Sequence, residues 1–279
     1  MPFFGFGYSA SSTITQSSIS AGGTDSDAQA FIDAAGITDA TQQDAINTLV
    51  IDLKGYSLWD KMKAVYPIVG GTSTTHKWNL KNPLDTDAAY RLAFAAGMTH
   101  ASTGMSPGGT SYASTYLVPN TALTVRNTHL SIYVRTDTAA GNKIEMGCAN
   151  AATANPSMGL FAKYSATNAV SDAYNNSTNR LSISNSDAKG YYISSRTSST
   201  LHKLYKNGSV IGTDTNTEAN NAMPNVQMLI GSFLFGASII QGTDREIAFV
   251  TIGDGLDDTD SSNLNTSVNT FQTTLSRNV

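Results

Sequence analysis

The spacing of apolar residues changes once along this chain, near Gly71. Upstream of that point it is helical. Ala45, Ile46, Leu49, Val50 and Leu53 recur on one face at a 3.6-residue period. Thr38 or Asp39 offers an N-cap, and Gln42 stands at capping-box distance from Asp39. Gly55 suits the residue just past a helix end. A second stripe, Trp59, Met62, Val65 and Tyr66, runs on until Pro67. A shorter helical piece, Ala28–Ala35, precedes both and is stopped by Gly36. The pattern predicts a helical segment over 28–71, whose stripe is ordinary core packing.

Downstream the period shortens to that of strands. Candidates are His76–Leu80, Tyr90–Phe94, Tyr112–Leu117, His129–Thr136, Lys143–Cys148, Gly159–Tyr164, Arg180–Ser184, Gly190–Arg196, Leu201–Lys206, Val210–Thr213, Val226–Ser232 and Arg245–Ile252. The clearest is His129–Thr136, where Leu130, Ile132 and Val134 alternate with other residues. Lys206-Asn207-Gly208-Ser209 is a hairpin signal, because Asn-Gly accepts the two positive φ values of a type I′ turn. Many short antiparallel strands with turns between them predict a mainly β fold, a two-sheet antiparallel jelly-roll sandwich. The chain then returns to helical spacing at Leu264, Val268, Phe271 and Leu275, with acidic capping residues at Asp258 and Asp260 and Arg277 in the last turn. This gives a closing helix over about 258–277 within a sandwich spanning 72–279.

The first residues, 1–27, read as an extended Gly/Ser/Thr-rich arm. Phe3, Phe4, Phe6 and Tyr8 stand in it as candidate anchors, since exposed aromatic side chains in a flexible tail are costly until a partner covers them. This start has neither a basic patch nor a continuous apolar stretch, so it is not expected to be a secretory signal.

Composition narrows the function classes. Only 14% of residues are charged, against about 25% in an average domain. The surface is therefore built from Ser, Thr, Asn, Gln and Gly, which suits proteins facing the environment and assemblies of closely packed copies. Net charge is −4 and no Lys/Arg run exists, so nucleic-acid binding through phosphate neutralisation is not expected. No apolar run reaches the roughly 18 residues of a membrane span. The single Cys148 excludes an intramolecular disulfide and reads as a small buried hydrophobe.

Catalytic chemistry is thinly signalled. The glutamates are Glu145, Glu218 and Glu246. A retaining glycosidase needs two carboxylates roughly 5–5.5 Å apart, and no such pair falls on one candidate strand. Glu246 beside Arg245 reads as a solvated edge charge. His76, His100, His129 and His202 are scattered, without zinc spacing. No Gly-x-Ser-x-Gly elbow exists. Gly104–Gly109 reads as a loop lacking the Lys and helix of a phosphate cradle. The acidic run Asp254–Asp260 does not match a Ca²⁺ loop and reads as helix capping. Asn-x-Ser/Thr begins at Asn175, Asn176, Asn207 and Asn265, as chance allows in a chain of this composition. No cofactor, metal or catalytic residue is expected. For a sugar-stacking role the candidate glycan contacts are Tyr174, Tyr191 and Tyr192.

Three tracts carry a resemblance. Gln42–Lys54 with Leu58–Pro67 resembles the front of structural proteins of tailed bacteriophages. Leu201–Gly212, LHKLYKNGSVIG, resembles the hairpin of laminin-G-like, concanavalin-A-like sandwiches. Arg245–Arg277 resembles the final strand and closing helix of the same phage proteins. The resemblance implies a non-enzymatic virion protein with a laminin-G-like jelly roll, displayed on a capsid, head fibre or tail. The expected partners are other virion proteins and copies of itself, and the expected location is the virion. The alternative it carries is an adhesin that binds host-surface glycan.

Overall fold

The computed structural model describes residues 23–138, 141–150, 156–165, 167–174, 180–217 and 222–279. The anchor candidates Phe3, Phe4, Phe6 and Tyr8, with nearly all of the arm, lie outside these residues. In chain order the elements are α1 (Ser26–Ala35), α2 (Ala40–Gly55), β1 (Met62–Tyr66), α3 (Ser73–His76), β2 (Ala93–Phe94), β3 (Thr99–Ala101), β4 (Gly104–Ser106), β5 (Ala113–Ser114), α4 (Pro119–Ala122), β6 (Thr128–Val134), β7 (Met146–Ala149), β8 (Ser157–Tyr164), β9 (Asn168–Ala173), β10 (Leu181–Ser184), β11 (Gly190–Ser198), β12 (Leu201–Lys206), β13 (Ser209–Asp214), β14 (Leu229–Ile230), β15 (Phe233–Phe235), β16 (Ser238–Ile240), β17 (Ile247–Gly253) and α5 (Asp258–Thr274).

The strands form two sheets. The first runs β13-β12-β11-β6-β17-β4-β3, with β1 also paired to β17. The second runs β10-β9-β8-β7-β14-β5-β2, with β15 on β7 and β16 on β15. The pairings are antiparallel except that of β15 with β7. Leu130, Ile132 and Val134 of β6 face the second sheet, where Met146, Cys148, Met158 and Leu160 meet them in the interior. The type I′ hairpin is present between β12 and β13, with Asn207 at φ 49° and Gly208 at φ 79°.

The central strands of the first sheet, β6, β11 and β17, are buried on both faces. Tyr133, Tyr191, Ile193, Tyr205 and Phe249 point away from the sandwich interior and pack under Leu49 and Leu53 of α2 and Leu264, Val268 and Phe271 of α5. Asp39 caps α2 through the Gln42 N–H at 2.9 Å, while the Gln42 side chain accepts from the Gly70 N–H at 2.8 Å and so ties the helix to the β1 exit. Asp257 caps α5 in a box with Asp260. Arg277 anchors the segment after α5. Its guanidinium is 1% exposed and donates to the carbonyl oxygens of Ile68 (2.7 Å), Pro67 (3.2 Å) and Ala248 (3.3 Å) and to Gln272 Oε1 (2.9 Å).

Several expectations are corrected. The stripe Trp59, Met62, Val65, Tyr66 is not a helix: Met62–Tyr66 is a strand on β17, because a vacant sheet edge overrides a local period built on β-favouring Val and Tyr. Gly55 is the last residue of α2, and Ser57 takes the left-handed conformation at φ 58°. His76–Leu80 is not a strand; His76 ends the one-turn α3. Gly104–Ser106, read as loop, is β4. The strands β3, β9, β15 and β16 carry no clear alternating signal and lie outside the candidates.

Candidate functional site

The predicted tyrosines do not form a site. Tyr191 and Tyr192 are neighbours on β11, so they project to opposite faces of the first sheet. Both faces are covered, and the two side chains are 2% and 0% exposed. Tyr192 Oη donates to the Asp187 carbonyl at 3.0 Å, and Tyr191 Oη donates to Ser131 Oγ at 2.8 Å. Tyr174 is also fully buried, its hydroxyl against that of Thr128. None of the three presents a ring face to solvent for stacking.

Of the histidines, the structure brings together His76 and His100, whose Nδ1 atoms are 3.0 Å apart, and of the carboxylates Asp244 and Glu246 line one cleft beside β3 and β4. His129 and His202 are buried, and burial pushes their pKa down to about 4 and about 3. His202 Nε2 lies 3.0 Å from both Ser171 Oγ and Ser194 Oγ, yet the trio is sealed between the sheets and can meet no substrate. Glu145 and Arg245 are both fully buried and paired at 2.5 Å. Glu246, the expected edge charge, is partly exposed and pairs with Arg135 at 3.0 Å. In the acidic run, Asp258 pairs with Lys203 at 2.7 Å and Asp260 with Lys61. Among the described residues no cluster of three or more His, Cys, Asp or Glu is placed to hold a metal ion. Burial raises the Cys148 thiol pKa, as fits a small core side chain.

The aromatic surface lies elsewhere, on the outer face of the second sheet. There Phe161, Tyr164, Phe233 and Phe235 cluster with Ile144, Ala149 and Val170, and no helix contributes to this cluster among the described residues. Two glycines make it possible. Gly147 of β7 and Gly159 of β8 are cross-strand partners and leave a trough with no side chains. A Cβ on Gly147 would stand 2.5 Å from Phe233 Cδ2, and one on Gly159 would stand 2.6 Å from Phe161 Cε1. The two rings therefore lie down on the sheet, edge to face at 76° with centroids 6.1 Å apart. Tyr164 tilts against Phe161 at 5.5 Å.

A cleft of about 170 Å³ opens over these rings, lined also by Ser157, Arg180, Ile240 and Gln241. Arg180 is fixed at its side. Its Nε donates to Asp172 Oδ1 at 2.7 Å and its Nη2 to Oδ2 at 2.6 Å, and the guanidinium carbon sits 5.8 Å from the Phe161 ring centroid. Asp172 is 1% exposed and also accepts from Ser157 Oγ at 3.1 Å. Burial raises its carboxyl pKa, and the hydrogen bonds from Arg180 and Ser157 oppose that rise. Nη1 of Arg180 has no hydrogen-bond partner among the described residues and remains available. Enclosed small-molecule pockets usually hold about 300–1,000 Å³. This cleft is smaller and open along the sheet face, so it does not enclose a ligand of that size. The sequence signal that could have located it is the pair of isolated glycines inside strand patterns, which marks close approach of another group.

No protein-family model matches the chain, and no curated protein sequence does. Solved structures do. Trypanosoma rangeli sialidase in complex with 2,3-difluorosialic acid is similar over 80% of this chain and 38% of its own, at 12% identity and a TM-score of 0.53. A mutant of HCR/D is similar over 75% of this chain and 52% of its own, at 12% identity and a TM-score of 0.51. Domain 4 of AbnA, an extracellular GH43 arabinanase of Geobacillus stearothermophilus in complex with arabinotriose, is matched over 98% of its length and 73% of this chain, at 14% identity and a TM-score of 0.47. At such identities the likeness is one of fold. The chain is a mainly β, two-sheet antiparallel sandwich with few helices, one of them at its C-terminal end.

Proposed function

We propose that this protein is a non-catalytic carbohydrate-binding sandwich that takes glycan along the outer face of its second sheet. The observation that carries the reading is the aromatic cleft over Gly147 and Gly159, on the sheet face that the helices leave uncovered. Sugar rings present C–H faces that pack on aromatic side chains, and their hydroxyls need fixed polar partners. Partly exposed Tyr164 and Phe235 supply the first, and Arg180, Ser157 and Gln241 supply the second. A sialidase with a sialic-acid derivative bound is among the structures of similar fold, which supports a sugar as the ligand class. Binding without turnover is the reading because Glu145 is sealed in an ion pair and Glu246 is held by Arg135. The test is a glycan array with the intact protein, repeated with Tyr164→Ala and Phe235→Ala. Glycan signals lost in both variants support the cleft. Signals unchanged in both, or no signal for the parent protein at high avidity, reject it.

A virion role is the second reading, favoured by the resemblance of the three sequence tracts to phage structural proteins. On this reading the protein assembles with other virion proteins through residues 1–27, in several copies, and turns its sandwich outward. None of the structures reported above is a phage protein. Mass spectrometry of purified particles decides it, and absence of the protein from them removes the reading.

A further inference from the structure

A second pocket lies on the opposite side of the molecule from the aromatic cleft, where the β12–β13 turn meets α5. It has a volume of about 220 Å³ and is lined by Tyr133, Tyr191, Asn207, Asn265, Asn269 and Val279. No charged side chain lines it. Tyr133 and Tyr191 lie buried beneath it as a stacked pair, 27° between planes and 6.2 Å between centroids, and close its base without offering an open ring face. Asn207 comes from the turn, while Asn265 and Asn269 stand one helical turn apart on α5, so three amides converge from two elements.

The pocket is built before any ligand arrives. Asn207 is locked to β11: its Oδ1 accepts from the Tyr191 N–H at 2.8 Å, and its own N–H donates to the Tyr191 carbonyl at 2.8 Å. That leaves its Nδ2 free of any hydrogen bond among the described residues. A Cβ on Gly190 would meet Asn207 Oδ1 at 2.7 Å. Gly208, at φ +79°, lets the turn approach α5 so closely that a Cβ there would meet Asn265 Nδ2 at 2.9 Å. The side chain of Asn265 makes no hydrogen bond among the described residues. Asn269 Oδ1 accepts from Asn278 at 3.0 Å, which leaves its Nδ2 unused. Tyr133 Oη accepts from the Val279 N–H at 3.1 Å and keeps its own proton to donate.

Each amide offers donors as well as an acceptor. A pocket lined by several amide groups and a hydroxyl, without a charged side chain, is complementary to a compact uncharged polyol. An anionic ligand would find no cation here, and a purely apolar one would strand the amides, at a cost of about 1–3 kcal/mol for each group left unpaired. We propose that this pocket binds a single uncharged sugar ring, as a site separate from the aromatic cleft. The ligand class is shared with the reading above, but the location stands on its own residues.

The experiment uses the full chain, labelled with ¹⁵N, and titrates it with the methyl glycosides of glucose, galactose, mannose and N-acetylglucosamine, and with glucuronate. Single-sugar sites are weak, so titration runs to about 10 mM. The expected result is that at least one neutral glycoside moves the side-chain amide signals of Asn207, Asn265 and Asn269. Asn265→Leu should weaken that binding by about tenfold or more, while Tyr164→Ala in the other cleft leaves it unchanged. No movement with any neutral glycoside, equal movement with glucuronate, or binding that survives Asn265→Leu together with Asn269→Leu overturns the proposal. An array signal absent from the parent protein, or unchanged by Tyr164→Ala and Phe235→Ala, together with retention of these amide shifts would reject the aromatic cleft and leave this pocket standing.

Discussion

Gly159 is the position where the architecture of the aromatic cleft is most sharply tested. Its φ is not positive, so alanine is tolerated by the backbone. Space is the obstacle. An added Cβ would meet Phe161 Cε1 at 2.6 Å, Phe161 Cζ at 2.9 Å and Phe233 Cε2 at 3.3 Å, all of them side-chain atoms. Carbon pairs are comfortable at about 3.5–4.0 Å, so the Phe161 ring must lift by roughly 1 Å from a site where it is now 2% exposed. Gly159→Ala should therefore cost about 1–3 kcal/mol, the usual penalty for overpacking. In a Phe161→Ala background the two closest contacts vanish. Only the Phe233 contact remains, and alanine is favoured over glycine within a strand by about 0.5–1 kcal/mol. The same substitution should then be neutral or stabilising. The coupling between the two positions is about 2 kcal/mol, which is measurable by a double-mutant cycle. At a urea slope of about 2–3 kcal/mol per M, it appears as a difference of roughly 0.7–1 M in midpoints followed by tryptophan fluorescence. If Gly159→Ala costs the same in both backgrounds, the ring does not lie over the glycine and the cleft is not built as described.

Two further outcomes follow from buried ionisable groups. His202 stays neutral in the fold, its pKa pushed down to about 3 by burial, but takes a proton near pH 6.5 when unfolded. The unfolded state therefore binds more protons below that pH, and stability is full above it and falls as pH drops; His202→Gln should flatten the slope of stability between pH 6 and 5 by about 1.4 kcal/mol per unit, and an unchanged slope in urea titrations refutes the burial. Arg277→Met would leave the Pro67 and Ile68 carbonyls without the guanidinium donor and Ala248 with the longer bond from Gln272, so a loss of about 2–3 kcal/mol is expected, and a thermal midpoint equal to that of the parent would show that the guanidinium does not clamp the C-terminal segment.

Much of the scaffold was legible in the residues themselves. The alternation at Leu130, Ile132 and Val134 fixes which side of β6 faces the other sheet, because strand side chains alternate by geometry. Asn207-Gly208 dictates its turn through the φ values it tolerates, and the spacing Leu264, Val268, Phe271 marks the buried stripe of α5. These are local consequences of backbone conformation, which neighbours in sequence determine. What covers the other face of a strand is not local. Tyr191 and Tyr192 look like free aromatic side chains until α5 and the second sheet close over them. Met62–Tyr66 carries a helical period, yet it is a strand because β17 offers an unpaired edge. Both proposed sites belong to the tertiary structure. The Phe161 and Phe233 rings meet over two glycines from separate strands, and the three pocket asparagines meet only where a turn touches a helix far along the chain. Sequence spacing records the period of one element, whereas burial and convergence depend on which elements pack together.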